Sequence, residues 1–452
     1  MIILFFSLIF STLARSENQV VTEDQIITST LKNFPLIIEA EMKFLAADYE
    51  LESSRGSFDH KLKIKTRNKI EDIYKNQYLE TLIERQTPYY GLSLVAGHRQ
   101  GAGKFAEYDG YFRTSTAGEI FGGLTLPLLR NFKLDQNRLD LTINKMEKDI
   151  SESDLKAKKL VTVHKALSIY YKWILATKKL QIRKNILDLA KNRHEMIIKR
   201  VKAGDLEELK IKDNQRTIDK RMDDVLKSEI ELKEAINKLS LYLRNESGES
   251  IYVQETQVPK EPLVHKRIEE ENIDFDNLPP VKIINSQIAI MKEQNKFFET
   301  QKLPALNLDV LGSKELSANI PYDSSALRVG LSFEFPFENR KAEGKTVATE
   351  YKKKSIERQK DFIIQEIDRN YDFSVFSMRE SLLRYEIVTR EFENTVIMAE
   401  AEKKKWLQGD SDLFIFNLRE QDTAEADIKK WSTLLDSQQY YIDALLFAGK
   451  LI

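Results

Sequence analysis

The chain of 452 residues contains no cysteine, which excludes disulfide frameworks, Cys-ligated zinc, thiol nucleophiles and a lipid anchor on an N-terminal Cys. It also lacks a charge imbalance: 70 basic and 71 acidic side chains leave a formal net charge of -1. Nothing in that balance calls for a nucleic-acid partner. Apart from the amino terminus, no segment approaches the roughly 18 consecutive apolar residues of a membrane-spanning helix. Proline and glycine are scarce and unevenly placed. No proline occurs from 128 to 258 or from 337 to 452, whereas nine of the sixteen glycines fall between Gly56 and Gly123. Proline costs about 3 kcal/mol inside a helix and glycine about 1, so the depleted stretches predict very long helices.

What is present sorts by period. Residues at seven-residue steps read Tyr371, Met378, Tyr385, Phe392, Ala399 and Trp406, with a second seam at Val375, Leu382, Thr389 and Val396. This is a coiled-coil pattern. A less regular stripe runs through Leu160, Val163, Leu167, Tyr170, Ile174, Ile182, Ile186, Leu189 and Met196; the aromatic and Met side chains in both stripes are expected to pack rather than bind a ligand. A helix over residues 131–200 would be about 105 Å long at about 1.5 Å per residue, too long for a compact domain.

Two regions alternate instead. Leu327, Val329, Leu331, Phe333, Phe335 and Phe337 interleave with Arg328, Gly330, Ser332, Glu334 and Pro336. Shorter runs at Leu62, Ile64 and Thr66, at Leu124, Leu126 and Leu128, and at Leu306, Leu308 and Val310 repeat the pattern. Each predicts a strand of about ten residues with one apolar face, the length of a tilted membrane strand, although a soluble sandwich alternates in the same way.

The halves align. Pro127 corresponds to Pro336 at an offset of 209, Gly204 to Gly409 at 205 and Gly248 to Gly449 at 201, and NFPLI from Asn33 matches NLPPVKI from Asn277. The expected organisation is a signal peptide over 1–16, on the apolar run Met1–Phe10 and the small residues around Ala14 and Ser16. A first repeat follows over 17–245, with a helix, a strand pair in 60–128 and long helices over 131–200 and 206–245. A linker over 246–278 leads to a second repeat over 279–452, with a helix, a strand pair in 305–337 and long helices over 340–406 and 411–448.

This arrangement resembles the TolC family of outer membrane efflux proteins over nearly all of the mature chain. The segments that carry the resemblance are NFPLIIEAEMKFLAADYELESSRG from Asn33, LTLPLLRNFKLDQNRLDL at 124–141, RVKAGDLEELKIKDNQ at 200–215 and KWLQGDSDLFIFNLREQ at 405–421. The resemblance implies an α+β, mostly α chain: four main strands per subunit join a trimeric twelve-stranded transmembrane barrel, and antiparallel coiled-coil helices form a periplasmic tube. It implies a passive duct of a tripartite efflux pump or type I secretion system, gated at its periplasmic helical tip, with no enzyme activity, cofactor or metal. Its partners would be two further copies of the chain, a periplasmic adaptor protein, an inner-membrane transporter and outer membrane lipid, with no nucleic acid. The adaptor would dock at the two tips, Ala203, Gly204, Asp205 and Leu206 with Gln408 and Gly409.

Two departures stand out. The first strand region is longer than the second by a segment of about 71–110, including YYGLSLVAGHRQGAGKFAEYDG, expected as an extra hairpin or a surface loop. The carboxylates that narrow the entrance in some family members fall here on Ile415 and Leu418. Asp410 and Asp412 lie close by and would form a ring around a threefold axis; the alternative is that Asp410 caps a helix starting near Ser411, as Asp205 would cap one starting at Leu206. Enzyme motifs are incomplete: His194-Glu195 opens like a metalloprotease HExxH, but position 198 is Ile. A secreted coiled-coil structural protein is the other class open to this sequence, and it would have no use for the strand pairs.

Overall fold

The structure is a computed structural model that describes residues 20–106, 110–259, 268, 272–316 and 325–452. The expected signal peptide, and residues 260–267 and 269–271 of the expected linker, lie outside these. In chain order the elements are α1 (Glu23–Asn33), α2 (Pro35–Arg55), β1 (His60–Lys69), β2 (Asn76–Gln86), β3 (Ser93–Gly103), β4 (Glu119–Pro127), α3 (Gln136–Lys202), α4 (Leu209–Ser240), α5 (Pro279–Thr300), β5 (Ala305–Glu315), β6 (Ser325–Glu334), α6 (Arg340–Gln408) and α7 (Leu413–Phe447). The chain is mostly helical with one antiparallel sheet. The proline-free stretches are the helices α3 with α4 and α6 with α7, as the scarcity of breakers requires.

The chain divides into two compact units, each drawing on both halves of the sequence. One comprises the described residues of Met1–Glu39, Ala157–Asp274 and Gln365–Ile452; the other comprises those of Ala40–Lys156 and Phe275–Ile364.

The first unit is helical, with an ordinary apolar core. Val163, Ala166, Tyr170 and Trp173 of α3 are fully buried against Ile26 of α1, Leu239 of α4 and Ile442 of α7. Thr22 opens α1 with a reciprocal capping box to Gln25. The apolar stripe expected on α3 holds through Ile186, with Ile182 half-buried, but Leu189 and Met196 are exposed. The buried seam there runs through Arg183, Ala190 and Ile197 at seven-residue steps instead. Two arginines, Arg183 and Arg193, face the interior, so a reading that follows apolar letters alone steps off the seam.

The second unit carries the sheet, a meander in the order β1-β2-β3-β4-β5-β6, every neighbour antiparallel. The strand count differs from the four main strands expected. The extra segment forms β2 and β3, a hairpin inserted between β1 and β4, so that six strands pair without a break. Asp135 ends the irregular stretch after β4 and caps α3: its carboxylate accepts from the Arg138 backbone N–H at 3.0 Å and from the Arg138 guanidinium at 2.7 Å.

Candidate functional site

The sheet sorts its side chains in an unusual sense. Register places Leu62, Ile64, Leu79, Ile83, Leu94, Ile120, Leu124, Val310, Leu327, Val329, Leu331 and Phe333 on one face. Most of them are strongly exposed, from 42% at Leu79 and Leu94 to 73% at Leu327. The opposite face carries most of the charges, with Arg85 and Lys314 the exceptions on the apolar face. Lys65 pairs with Glu80 across β1 and β2 at 3.2 Å, Lys63 pairs with Glu84, and Arg99 forks onto Glu119 with two bonds of 2.9 Å. Thr125 donates to Asp309 at 2.6 Å and Tyr78 to Glu80 at 2.6 Å. On β2 to β4 this charged face is the sheltered one, with Tyr78, Leu82, Glu119 and Phe121 buried.

Part of the shelter comes from the β3–β4 loop. Tyr111 packs edge-on against Tyr78 at 4.7 Å, the Arg67 guanidinium of β1 lies 4.9 Å over the Tyr111 ring, and Arg328 of β6 lies 5.5 Å over Phe112. One loop thus reaches the charged face of both edge strands. Water favours the reverse arrangement, with apolar side chains sheltered and charges exposed. A sheet that exposes its apolar face, gathers its ion pairs on the other and shelters the Arg99–Glu119 pair among them is suited to hydrocarbon outside and water inside.

The helical tips form the second candidate region, within the helical unit. The turns after α3 and α6 contain Gly204 and Gly409, both left-handed, with φ of 83° and 88°. The two ends are built alike: Asp205 N–H donates to Arg200 O and Gly204 N–H to Val201 O, while Asp410 N–H donates to Lys405 O and Gly409 N–H to Trp406 O. This is the Schellman pattern, which satisfies the last carbonyls and needs a left-handed residue at one position. Ala203, Gly204, Asp205, Gln408 and Gly409 are exposed, and Leu206 is half-buried. Leu206 joins a small apolar cluster of Ile197, Trp406, Leu413 and Phe416, which draws the two turns together.

The cap at the second tip is Asp412 rather than Asp410. α7 begins at Leu413, and the Asp412 carboxylate accepts from Phe414 N–H at 2.7 Å. Its other oxygen takes the Lys210 ammonium at 2.9 Å, tying the first turn of α4 to that of α7. Lys210, followed by the Phe414 N–H, holds this carboxyl below the usual range. Asp410 is exposed. Asp205 caps no helix: α4 begins at Leu209, and Glu208 at its N-cap makes no capping bond. The two residues between Asp205 and Glu208 separate the Schellman turn from the helix, whereas only Ser411 stands between Asp410 and the capping Asp412.

A buried ionic cluster near the tip was not anticipated. Glu420 of α7 receives both Arg193 of α3 and, at 3.0 Å, Arg221 of α4; Arg221 also donates to Ile186 O at 2.5 Å, and Arg193 to the Asn417 amide oxygen. Both arginine side chains are almost wholly buried. Burial lowers the Arg221 pKa from its ordinary value, and Glu420 opposes that shift. The sequence does carry a signal: Leu413, Phe416, Glu420 and Ala424 recur at helical spacing, and a carboxylate inside an apolar stripe needs a cation. Among the described residues no group of His, Asp and Glu is arranged to hold a metal ion.

No family model and no curated protein sequence matches the chain. Solved structures do. The CmeC outer membrane channel of Campylobacter jejuni superposes with a TM-score of 0.67, covering 98% of this chain and 90% of that chain at 13% identity. The outer membrane protein VceC of Vibrio cholerae gives 0.68 over 94% and 96% at 12% identity. The open state of the MtrE outer membrane channel of Neisseria gonorrhoeae gives 0.69 over 95% and 89% at 9% identity. The resemblance to TolC-family channels thus holds at the level of the fold, and over nearly the whole chain.

Proposed function

We propose that the chain is the outer membrane channel of a tripartite efflux pump or type I secretion system, extending into the periplasm. The observation that carries this reading is the inverted sheet. An exposed apolar face over six paired strands is a large liability in water and an asset in lipid. The fold shared with outer membrane channels supports it independently. Long helices alone would suit a structural coiled coil, but such a protein has no use for this sheet.

In this reading three copies assemble, their strands closing a barrel in the membrane, and the chain is an internal duplication of one helix-strand-helix unit. Energy comes from an inner-membrane transporter, linked through a periplasmic adaptor that docks around Ala203, Gly204, Asp205, Leu206, Gln408 and Gly409. The duct is gated by rearrangement of the helix pairs at these tips. Asp412 is committed to its cap and to Lys210. Any carboxylate ring at the entrance therefore falls chiefly to Asp410, three copies of which would favour cations. Asp410→Ala is expected to weaken divalent-cation block in planar bilayers; unchanged block would remove the ring from the account.

Fractionation tests the main reading. A heat-modifiable trimer in the outer membrane, co-purifying with an adaptor and transporter, is expected. A rod that stays soluble without detergent would overturn it.

A further inference from the structure

The inserted hairpin sets the size of the barrel. We propose that β2 and β3 are wall strands and that β1 of one copy pairs with β6 of the next, so that three copies close eighteen strands instead of twelve. This deepens the channel reading and rests on it.

Four observations support it. First, pairing is continuous: β1 meets β2 from His60↔Arg85 to Lys69↔Asn76, and β3 meets both β2 and β4, so that the hairpin separates β1 from β4. Second, the alternation of faces runs through the hairpin. Leu79, Ile83 and Leu94 share the apolar face with Leu62 and Leu124, while Glu80 and Arg99 share the charged face with Lys65 and Glu119. A hairpin lying outside the wall would have no reason to keep both.

Third, the foot of the hairpin is fixed to the exit of β4. Tyr90 stacks on Phe132 at 5.1 Å, the Asn137 amide donates to Gln86 at 2.6 Å, and a Cβ on the left-handed Gly91 would lie 2.7 Å from Pro127 and 2.8 Å from the Asn131 carbonyl. The strands therefore run the height of the sheet instead of forming an extension of the far loops.

Fourth, the remaining edges suit each other. β1 and β6 are each ten residues long, and their burial patterns are almost entirely exposed. An even number of strands makes them run in opposite directions. A copy placed beside another thus brings β1 and β6 together antiparallel, with Leu62 and Ile64 on the same face as Val329 and Leu331. In hydrocarbon an unpaired edge costs several kcal/mol per backbone group, so both must be covered. A second copy of the chain supplies the missing partner at each edge. With strands about 4.8 Å apart and tilted about 40°, eighteen strands give a backbone radius of about 18 Å against about 12 Å for twelve.

The absence of native cysteine makes the test clean. Lys63→Cys would be combined with Arg328→Cys, Gly330→Cys or Ser332→Cys to sample three registers between copies. Pairing it with Leu82→Cys reports β1 against β2 within a chain, and with Phe121→Cys or Gly123→Cys reports β1 against β4. Oxidation in outer membranes is expected to link separate chains through at least one β1–β6 combination and to link β1 with β2 internally, with no β1–β4 product. A β1–β4 link within the chain, or no link between chains at any of the three registers, would overturn eighteen-strand closure. Heat-modifiable migration of each variant in the outer membrane fraction is read first. Its loss in the unsubstituted protein would count against the channel reading, whereas its retention with a β1–β4 link counts against the strand number alone.

Discussion

The sheet and the helical unit of this protein bury opposite kinds of residue. In the helical unit Tyr170 and Trp173 are 0% exposed, while in the sheet Leu331 and Phe333 are 69% and 68% exposed and the ion pairs lie on the other face. The same apolar chemistry is inside in one region and outside in the other. The hydrophobic effect rewards removal from water, not placement at a centre, so each arrangement identifies its solvent. Helices that bury their seams need water around them; the sheet needs hydrocarbon against one face and water against the other.

The strongest way to break this contrast is to charge the exposed apolar face. Val329→Arg puts a charge where lipid is expected, at about 2–4 kcal/mol per chain near the bilayer midplane, and three copies multiply the effect. Ser332→Arg, on the charged face, should cost far less. Trimer yield in the outer membrane reads the difference, and equal yields would contradict the assignment of faces.

In the helical unit the converse experiment removes a buried charge. Glu420→Ala leaves Arg193 and Arg221 without their shared carboxylate and is expected to cost about 3–5 kcal/mol. It should lower the denaturation midpoint clearly, while replacing the exposed Asp410 with Ala should not.

Smaller effects sharpen the account of the tips. Gly409→Ala forces a side chain into a left-handed turn and should cost about 1–2 kcal/mol, with Gly204→Ala costing a similar amount because the two turns are built alike. Differing costs from paired thermal melts would show that the turns are not equivalent. Smallest is the acid response of Asp412. Its folded pKa lies below the ordinary carboxylate value, so its contribution is present above about pH 4 and is lost as pH falls through the lower, folded value. The pair with Lys210 is partly exposed, so the loss should stay within about 1 kcal/mol. A denaturation series from pH 5 to pH 2 should show a smaller slope in Asp412→Asn than in the unsubstituted protein.

Much of the architecture was legible because its signals are long. A proline-free stretch of more than a hundred residues has few readings, and alternation over Leu327–Phe337 shows a strand without reference to any partner. The hairpin of β2 and β3 was harder to read, because β3 is interrupted by Gly97 and Gly101 and its charged-face residues include Val95. A close approach accounts for both glycines: a Cβ at Gly97 would lie 2.5 Å from the Thr81 carbonyl and 2.8 Å from the Phe121 ring, and one at Gly101 would lie 2.5 Å from the Phe112 carbonyl. The tip glycines were legible, since reversal of a helix requires a left-handed residue. The capping residue was not, because Asp410 and Asp412 differ by two positions and only the backbone decides which one precedes the first helical turn. Glu420 was missed because its partners lie about 200 residues away in sequence.

The central claim is that the sheet faces lipid on one side and water on the other. Single cysteines at each position from Leu327 to Phe333, labelled with a fluorophore in trimers reconstituted in bilayers, test it directly. Quenching by nitroxides on lipid acyl chains should alternate, strong at Leu327, Val329, Leu331 and Phe333 and weak at Arg328, Gly330 and Ser332, with a water-soluble quencher giving the opposite pattern. Uniform access to the water-soluble quencher along the strand would contradict it.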